Sequence, residues 1–219
     1  MKEMFPPFTT TLLVICVIIA LASNFGQNRA LVEPMLLTVY PKAAGLPEIR
    51  HGEIWRLLTP IFLHFSHLHI IFNGAAFWSV GGALEQRRGP KELGVLVLIF
   101  ALGSNLAEFW WSGHGFFGGM SGVLFGLLGY LWIQGRLNPR FGLILPNAVI
   151  GMLLVWFALC WLGIIPNVAN MAHTGGLVMG LAAGLVMAKR RRVCVLRKLI
   201  QLFFISGHCV SRWLDVKYQ

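Results

Sequence analysis

Long apolar runs recur along this chain, each near the length that crosses a bilayer, and they leave few folds open. A span needs roughly 20 mainly apolar residues to traverse about 30 Å of hydrocarbon. Residues 8–24, 65–84, 93–111, 121–134, 143–164 and 168–188 meet or approach that length. The fourth run is short, which predicts a helix that begins below the membrane surface. Only 12% of the 219 residues are charged, against about 25% in soluble domains. A water-facing surface needs more, so a soluble globular enzyme, a disordered chain and a nucleic-acid module are excluded. The expectation is an all-α fold: a polytopic membrane bundle of six transmembrane helices.

The net charge of +10 would suggest a polyanion partner if its placement did not argue otherwise. An even number of spans puts both termini on one side. That side receives 14 of the 18 Lys and Arg residues: Lys2, Arg87, Arg88, Lys91, Arg136, Arg140 and eight from Lys189 onward. The opposite side receives Arg29, Lys42, Arg50 and Arg56. The positive-inside rule then predicts cytoplasmic termini in a multi-pass inner- or plasma-membrane protein. The surplus charge serves orientation and attraction to anionic lipid, and nucleic acid is not an expected partner.

The first run admits a second reading, because Ala20-Leu21-Ala22 resembles a signal-peptidase site. Lys2 followed by Glu3 is a weak basic start, which favours a retained helix. Residues 25–54 mix Pro34, Pro41, Gly45 and Pro47 with apolar positions and read as a loop with short helices in the interface. Trp55-Arg56 reads as an interfacial anchor. Residues 1–188 form one expected membrane domain, with its core motifs in 53–188, and 189–219 a basic amphipathic tail. Cys16, Cys160, Cys194 and Cys209 show no paired spacing, so neither a disulfide framework nor a zinc site is expected.

Polar groups inside a bilayer are costly and therefore functional candidates. Four places stand out: His64-Phe65-Ser66-His67-Leu68-His69 running on to Asn73, Gly118-Gly119-Met120-Ser121-Gly122, Ala172-His173-Thr174-Gly175-Gly176, and Glu108. His69 and Asn73 share a helix face. Under the assigned topology Ser121, His173, His69 and Asn73 all fall in the outer half of the membrane, on three helices. His173, Gly176, Gly180 and Gly184 line one helical strip, and Gly122, Gly126 and Gly129 another. Such small-residue faces let backbones approach closely, which would bring Ser121 to an imidazole. Glycine packing alone also accounts for those faces, and a serine among glycines is often only a small residue. It does not account for the histidine.

A serine hydroxyl becomes a nucleophile when a base accepts its proton, and histidine suits that role. The only aspartate is Asp215 and the only carboxylate well inside a span is Glu108, so the inferred pair is a Ser121–His173 dyad without a third member. A tetrahedral oxyanion needs fixed donors. The His69 imidazole, the Asn73 amide and the Ser121 backbone N–H at a helix start are the candidates. Aspartyl intramembrane proteolysis would need two embedded aspartates, and a zinc protease a motif such as H-E-x-x-H; both are lacking. His64, His67 and His69 offer imidazoles to a metal but no accompanying carboxylate or thiolate, so no metal and no cofactor are expected.

These motifs, in this order, resemble the rhomboid family of intramembrane serine proteases, of the compact six-helix bacterial type. The matching elements are Trp55-Arg56, His64…His69…Asn73 followed by Gly81-Gly82 and Glu85, Gly119-Met120-Ser121-Gly122, and Ala172-His173 with Gly176 and Gly180. The resemblance implies Ser121 as nucleophile, His173 as base, and His69 and Asn73 on the oxyanion side, with Gly119, Gly122, Phe125 and Gly176 in support. It also implies membrane-protein substrates, a lateral gate beside Trp156, Phe157 and Trp161, and a cap formed by residues 163–170. Phe125 stands where many relatives carry a tyrosine, and Glu108 is not part of the family pattern. It reads as an outer-interface residue or as one that tunes substrate entry or pH response. A non-catalytic protein that binds transmembrane helices is the alternative reading; a transporter lacks support from paired broken segments.

Overall fold

The computed structural model describes residues 5–188, and all regular structure among them is helical. The tail expected over 189–219 lies outside the described residues. The helices are α1 (Pro7–Ala22), α2 (Arg29–Val32), α3 (Pro47–Arg50), α4 (His67–Arg88), α5 (Pro90–Ser112), α6 (Ser121–Leu137) and α7 (Asn147–Trp161), followed by α8 (Asn170–Ala188).

Their ends follow local chemistry. The hydroxyl of Ser66 accepts the His69 N–H at 3.1 Å and caps α4, satisfying one donor that the first turn leaves free. Between α4 and α5, Gly89 turns the chain at φ 87° and Pro90 opens the next helix, where its missing N–H costs nothing. Gly113 closes α5 in the left-handed conformation. The fifth apolar run was expected over 143–164, but α7 occupies only Asn147–Trp161. Pro146 starts it, and Gly163 at φ 72° stops the chain from continuing. The second run shifts the other way: α4 begins at His67 and continues through Glu85 to Arg88.

Two helices, α5 and α8, are long and apolar enough to cross a membrane by length and composition. The apolar α1 and α7 are shorter, with 16 and 15 residues, and α6 has 17. The 22-residue α4 carries His69, Asn73, Glu85, Arg87 and Arg88.

The helices alternate in direction. Glu85, near the end of α4, accepts from the N–H groups of Phe8 and Thr9 and from the Thr9 hydroxyl at 2.7–2.8 Å. The start of α1 therefore lies beside the end of α4. Gln134 near the end of α6 donates to the Gly184 carbonyl on α8 at 2.8 Å, so α6 and α8 run the same way. A buried core of Phe77, Leu84, Leu93, Phe100, Val123 and Leu127 joins α4, α5 and α6. Helix α6 is central, with every residue from Gly122 to Leu131 buried.

The two glycine strips meet each other. A Cβ on Gly176 would fall 2.0 Å from the Gly122 carbonyl oxygen, and one on Gly180 2.0 Å from that of Gly126. No side chain larger than hydrogen fits, so α6 and α8 touch backbone to backbone.

Residues 25–66 cross the end of the bundle where α4 begins, as short helical turns. Trp55 is half exposed and its indole donates to the Pro34 carbonyl, in keeping with an anchor. Its neighbour is not one: Arg56 is buried, pairs with Glu53 at 2.6 Å and donates to the carbonyls of Glu33 and Leu36. The arginine ties the loop together from inside. Glu48 accepts from Thr38 and Val39 in the same loop. Burial alone would push its carboxyl up, but these bonds and the Arg56 charge hold it below the usual carboxylate range.

Candidate active site

Three helices begin at one end of the bundle, and each brings a polar side chain into its first turn. Ser121 is the first residue of α6, His69 the third of α4 and His173 the fourth of α8. The last lies about 5 Å along the axis from its helix start. That is shallower than a span beginning at Val168 implied, because α8 begins at Asn170.

His173 Nε2 lies 2.8 Å from Ser121 Oγ. The backbone-to-backbone crossing of α6 and α8 at Gly122, next to Ser121, and Gly176, three residues after His173, makes so short a reach possible. Ser121 is half-buried, whereas His173 is only 3% exposed. The hydroxyl is thus open to a visitor while its partner is covered. Phe125 lies against the imidazole with ring centroids 4.6 Å apart, a packing contact that survives without the phenol of a tyrosine. His173 Nδ1 is buried and has no hydrogen-bond partner among the described residues.

His69 of α4 lies against Gly119, two residues before Ser121. The Phe65 N–H approaches its Nδ1 at 3.4 Å, which leaves Nε2 to carry the ring proton. That nitrogen faces Gly119, where a Cβ would come within 2.5 Å of it. Gly119 also sits at φ 112°, a region that side chains avoid. Both constraints demand glycine immediately before Met120 and Ser121. Asn73, one turn along α4, gives one amide N–H to the His69 carbonyl at 2.9 Å, and its buried Oδ1 has no partner among the described residues. The amide is therefore half committed to its own helix.

The other histidines separate. His64 is buried with its ring 4.9 Å from that of His69, while His67 turns outward against Phe25. No group of three His, Cys, Asp or Glu that could hold a metal occurs among the described residues.

Glu108 is buried within the protein. It is 6% exposed, and its Oε2 accepts from the backbone N–H groups of Met171 at 2.9 Å and Ala172 at 3.0 Å. The carboxylate of α5 thus caps the first turn of α8, directly before His173. An intramembrane carboxylate is a visible warning in sequence; which backbone it would meet is not.

The rhomboid domain family matches residues 51–190. This chain belongs to the rhomboid family. Among its relatives are proteins named Rhomboid protease GlpG. That of Klebsiella pneumoniae is 36% identical over 181 residues, covering 82% of this chain and 63% of the relative. The one from Salmonella paratyphi A is 34% identical over 187 residues, covering 85% and 65%, and that from an Enterobacter species is 35% identical over 183, covering 83% and 63%. This rhomboid chain therefore spans slightly less than two thirds of the length of those relatives.

Proposed function

We propose that this rhomboid chain is an intramembrane serine endopeptidase that hydrolyses peptide bonds in or near the transmembrane helices of other membrane proteins. The observation that carries the reading is the 2.8 Å contact between Ser121 Oγ and His173 Nε2. Family membership supports it independently, since relatives at 34–36% identity bear the name rhomboid protease.

In the proposed reaction Ser121 Oγ forms a bond to the substrate carbonyl carbon while His173 Nε2 takes its proton. The carbonyl oxygen becomes an oxyanion. His69 Nε2–H, the remaining Asn73 N–H and the free backbone N–H groups that open α6 are its candidate donors, and the helix dipole adds to them. The C–N bond breaks as His173 returns the proton to the departing amine. Water, deprotonated by the same imidazole, then hydrolyses the acyl-enzyme. The proton transfers in this sequence use Ser121, His173 and water, and it calls for no cofactor or metal.

The arrangement we favour has α1, α4, α5, α6, α7 and α8 as the six crossings. The site opens to the outer side and both ends face the cytoplasm, in agreement with the Lys and Arg distribution. Residues up to 188 then act as one membrane domain that carries the chemistry. Trp156 and Phe157 of α7 meet Phe72 and Phe125 through ring contacts at 6.1 and 5.6 Å, which suits a side entrance for a helical substrate.

The test is cleavage of a single-span model substrate by purified protein. Ser121→Ala and His173→Ala should each abolish cleavage, and labelling of Ser121 by a fluorophosphonate, while remaining folded. Full cleavage by Ser121→Ala would eliminate the proposal.

A further inference from the structure

One buried carboxylate has no part in the chemistry above. Glu108 has no salt-bridge partner; the ion pairs among the described residues join Arg56 with Glu53 and Arg88 with Glu92. Both of its hydrogen bonds run from one oxygen to the consecutive N–H groups of Met171 and Ala172. Those groups belong to the opening turn of a helix, where no intrahelical carbonyl is available. The first bond of the helical pattern here is His173 N–H to Ala169 carbonyl, at a loose 3.3 Å.

We infer that Glu108 is a positioning residue for His173, holding the first turn of α8 so that Nε2 stays within hydrogen-bond reach of Ser121. This rests on the proteolytic reading of the same site. His173 lacks the support a base ordinarily has, since its Nδ1 meets no acceptor among the described residues. Its ring must then be aimed by its backbone and by the rings against it. Below it, Gly176 is locked on Gly122 and Gly175 on Ala107 of α5, where a Cβ would come within 2.6 Å. Above it, residues 162–169 form no regular structure. Glu108 closes the interval: the residue directly after Ala107 on α5, it grips the two peptide groups just ahead of the imidazole.

The role is geometric, and the acceptor is a single oxygen. A glutamine has the same length and a carbonyl oxygen that can receive both N–H groups, without charge. An alanine has neither. The experiment compares Glu108→Gln and Glu108→Ala with the unsubstituted protein by the rate of fluorophosphonate labelling at Ser121, normalised to folded protein, and by kcat and KM for a single-span substrate. Glu108→Ala should lower the labelling rate and kcat by at least about tenfold with KM little changed, because small misplacements of reacting groups cost rate rather than binding. Glu108→Gln should stay within about threefold of the original, as the hydrogen-bond geometry is kept.

Two results would overturn the inference: Glu108→Ala labelling at the original rate per folded molecule, or Glu108→Gln falling as far as Glu108→Ala. Failure of the unsubstituted protein to label or cleave would instead sink the proteolytic reading, so the two failures are distinguishable.

Discussion

Gly119 carries two independent demands that meet at one atom. Its φ of 112° and the His69 ring 2.5 Å from where a Cβ would stand allow no side chain. Gly119→Ala should therefore cost about 1–3 kcal/mol from backbone strain, read as a fall in thermal midpoint in detergent. It should also push His69 from the cleft and slow Ser121 labelling by at least about tenfold, the scale of losing one oxyanion donor. Unchanged labelling would show that His69 has no part in the chemistry. At this scale the sequence was informative where a residue type is rare in its setting. A histidine among glycines in an apolar run points to His173, which the fold brings to 2.8 Å from Ser121, and the spacing of Asn73 from His69 puts both on one face of α4. The partners of Arg56 and Glu108 are not legible in the sequence, for a shared reason. Both bind backbone groups, Arg56 the carbonyls of Glu33 and Leu36 and Glu108 the amides of Met171 and Ala172. A peptide group looks the same at every position, so no residue pattern marks the partner.

Between elements, one device appears twice. Glu108 of α5 caps the start of α8, and Glu85 of α4 caps the start of α1. Each places a carboxylate where a helix presents unpaired N–H groups and the positive end of its dipole. The two differ in location, because Glu85 lies sixteen residues, or about 24 Å, along α4 from His69. Glu85→Ala leaves the two buried donors of Thr9 and the half-buried Phe8 N–H without an acceptor and should destabilise the fold by about 2–4 kcal/mol. Thermal unfolding would report it, while labelling of Ser121 per folded molecule should hold. A selective loss of labelling would contradict the separation of the two ends. Helix spacing made the glycine strips of α6 and α8 legible, since only their angular alignment had to be read. The limits of α7 were not, because the apolar run continues past the Pro146 and Gly163 breaks that end the helix.

The whole molecule places the starts of α4, α6 and α8 at one end and the start of α1 with the close of α8 at the other. Hydropathy located the helices, yet lysine and arginine counts alone suggested which end faces the cytoplasm. In a variant whose other cysteines are replaced, His114→Cys at the exposed site end and Arg140→Cys at the far end should answer to opposite faces of the membrane. A membrane-impermeant maleimide applied to intact cells should modify the first and spare the second; the reverse pattern would invert the orientation. A further consequence concerns what can be attached. α6 alone, at 17 residues, separates Ser121 from the opposite end by about 25 Å. A fluorescent or affinity tag joined directly to the close of α8 would begin a full helix length from Ser121, able to report on the protein without crowding the Ser121–His173 pair.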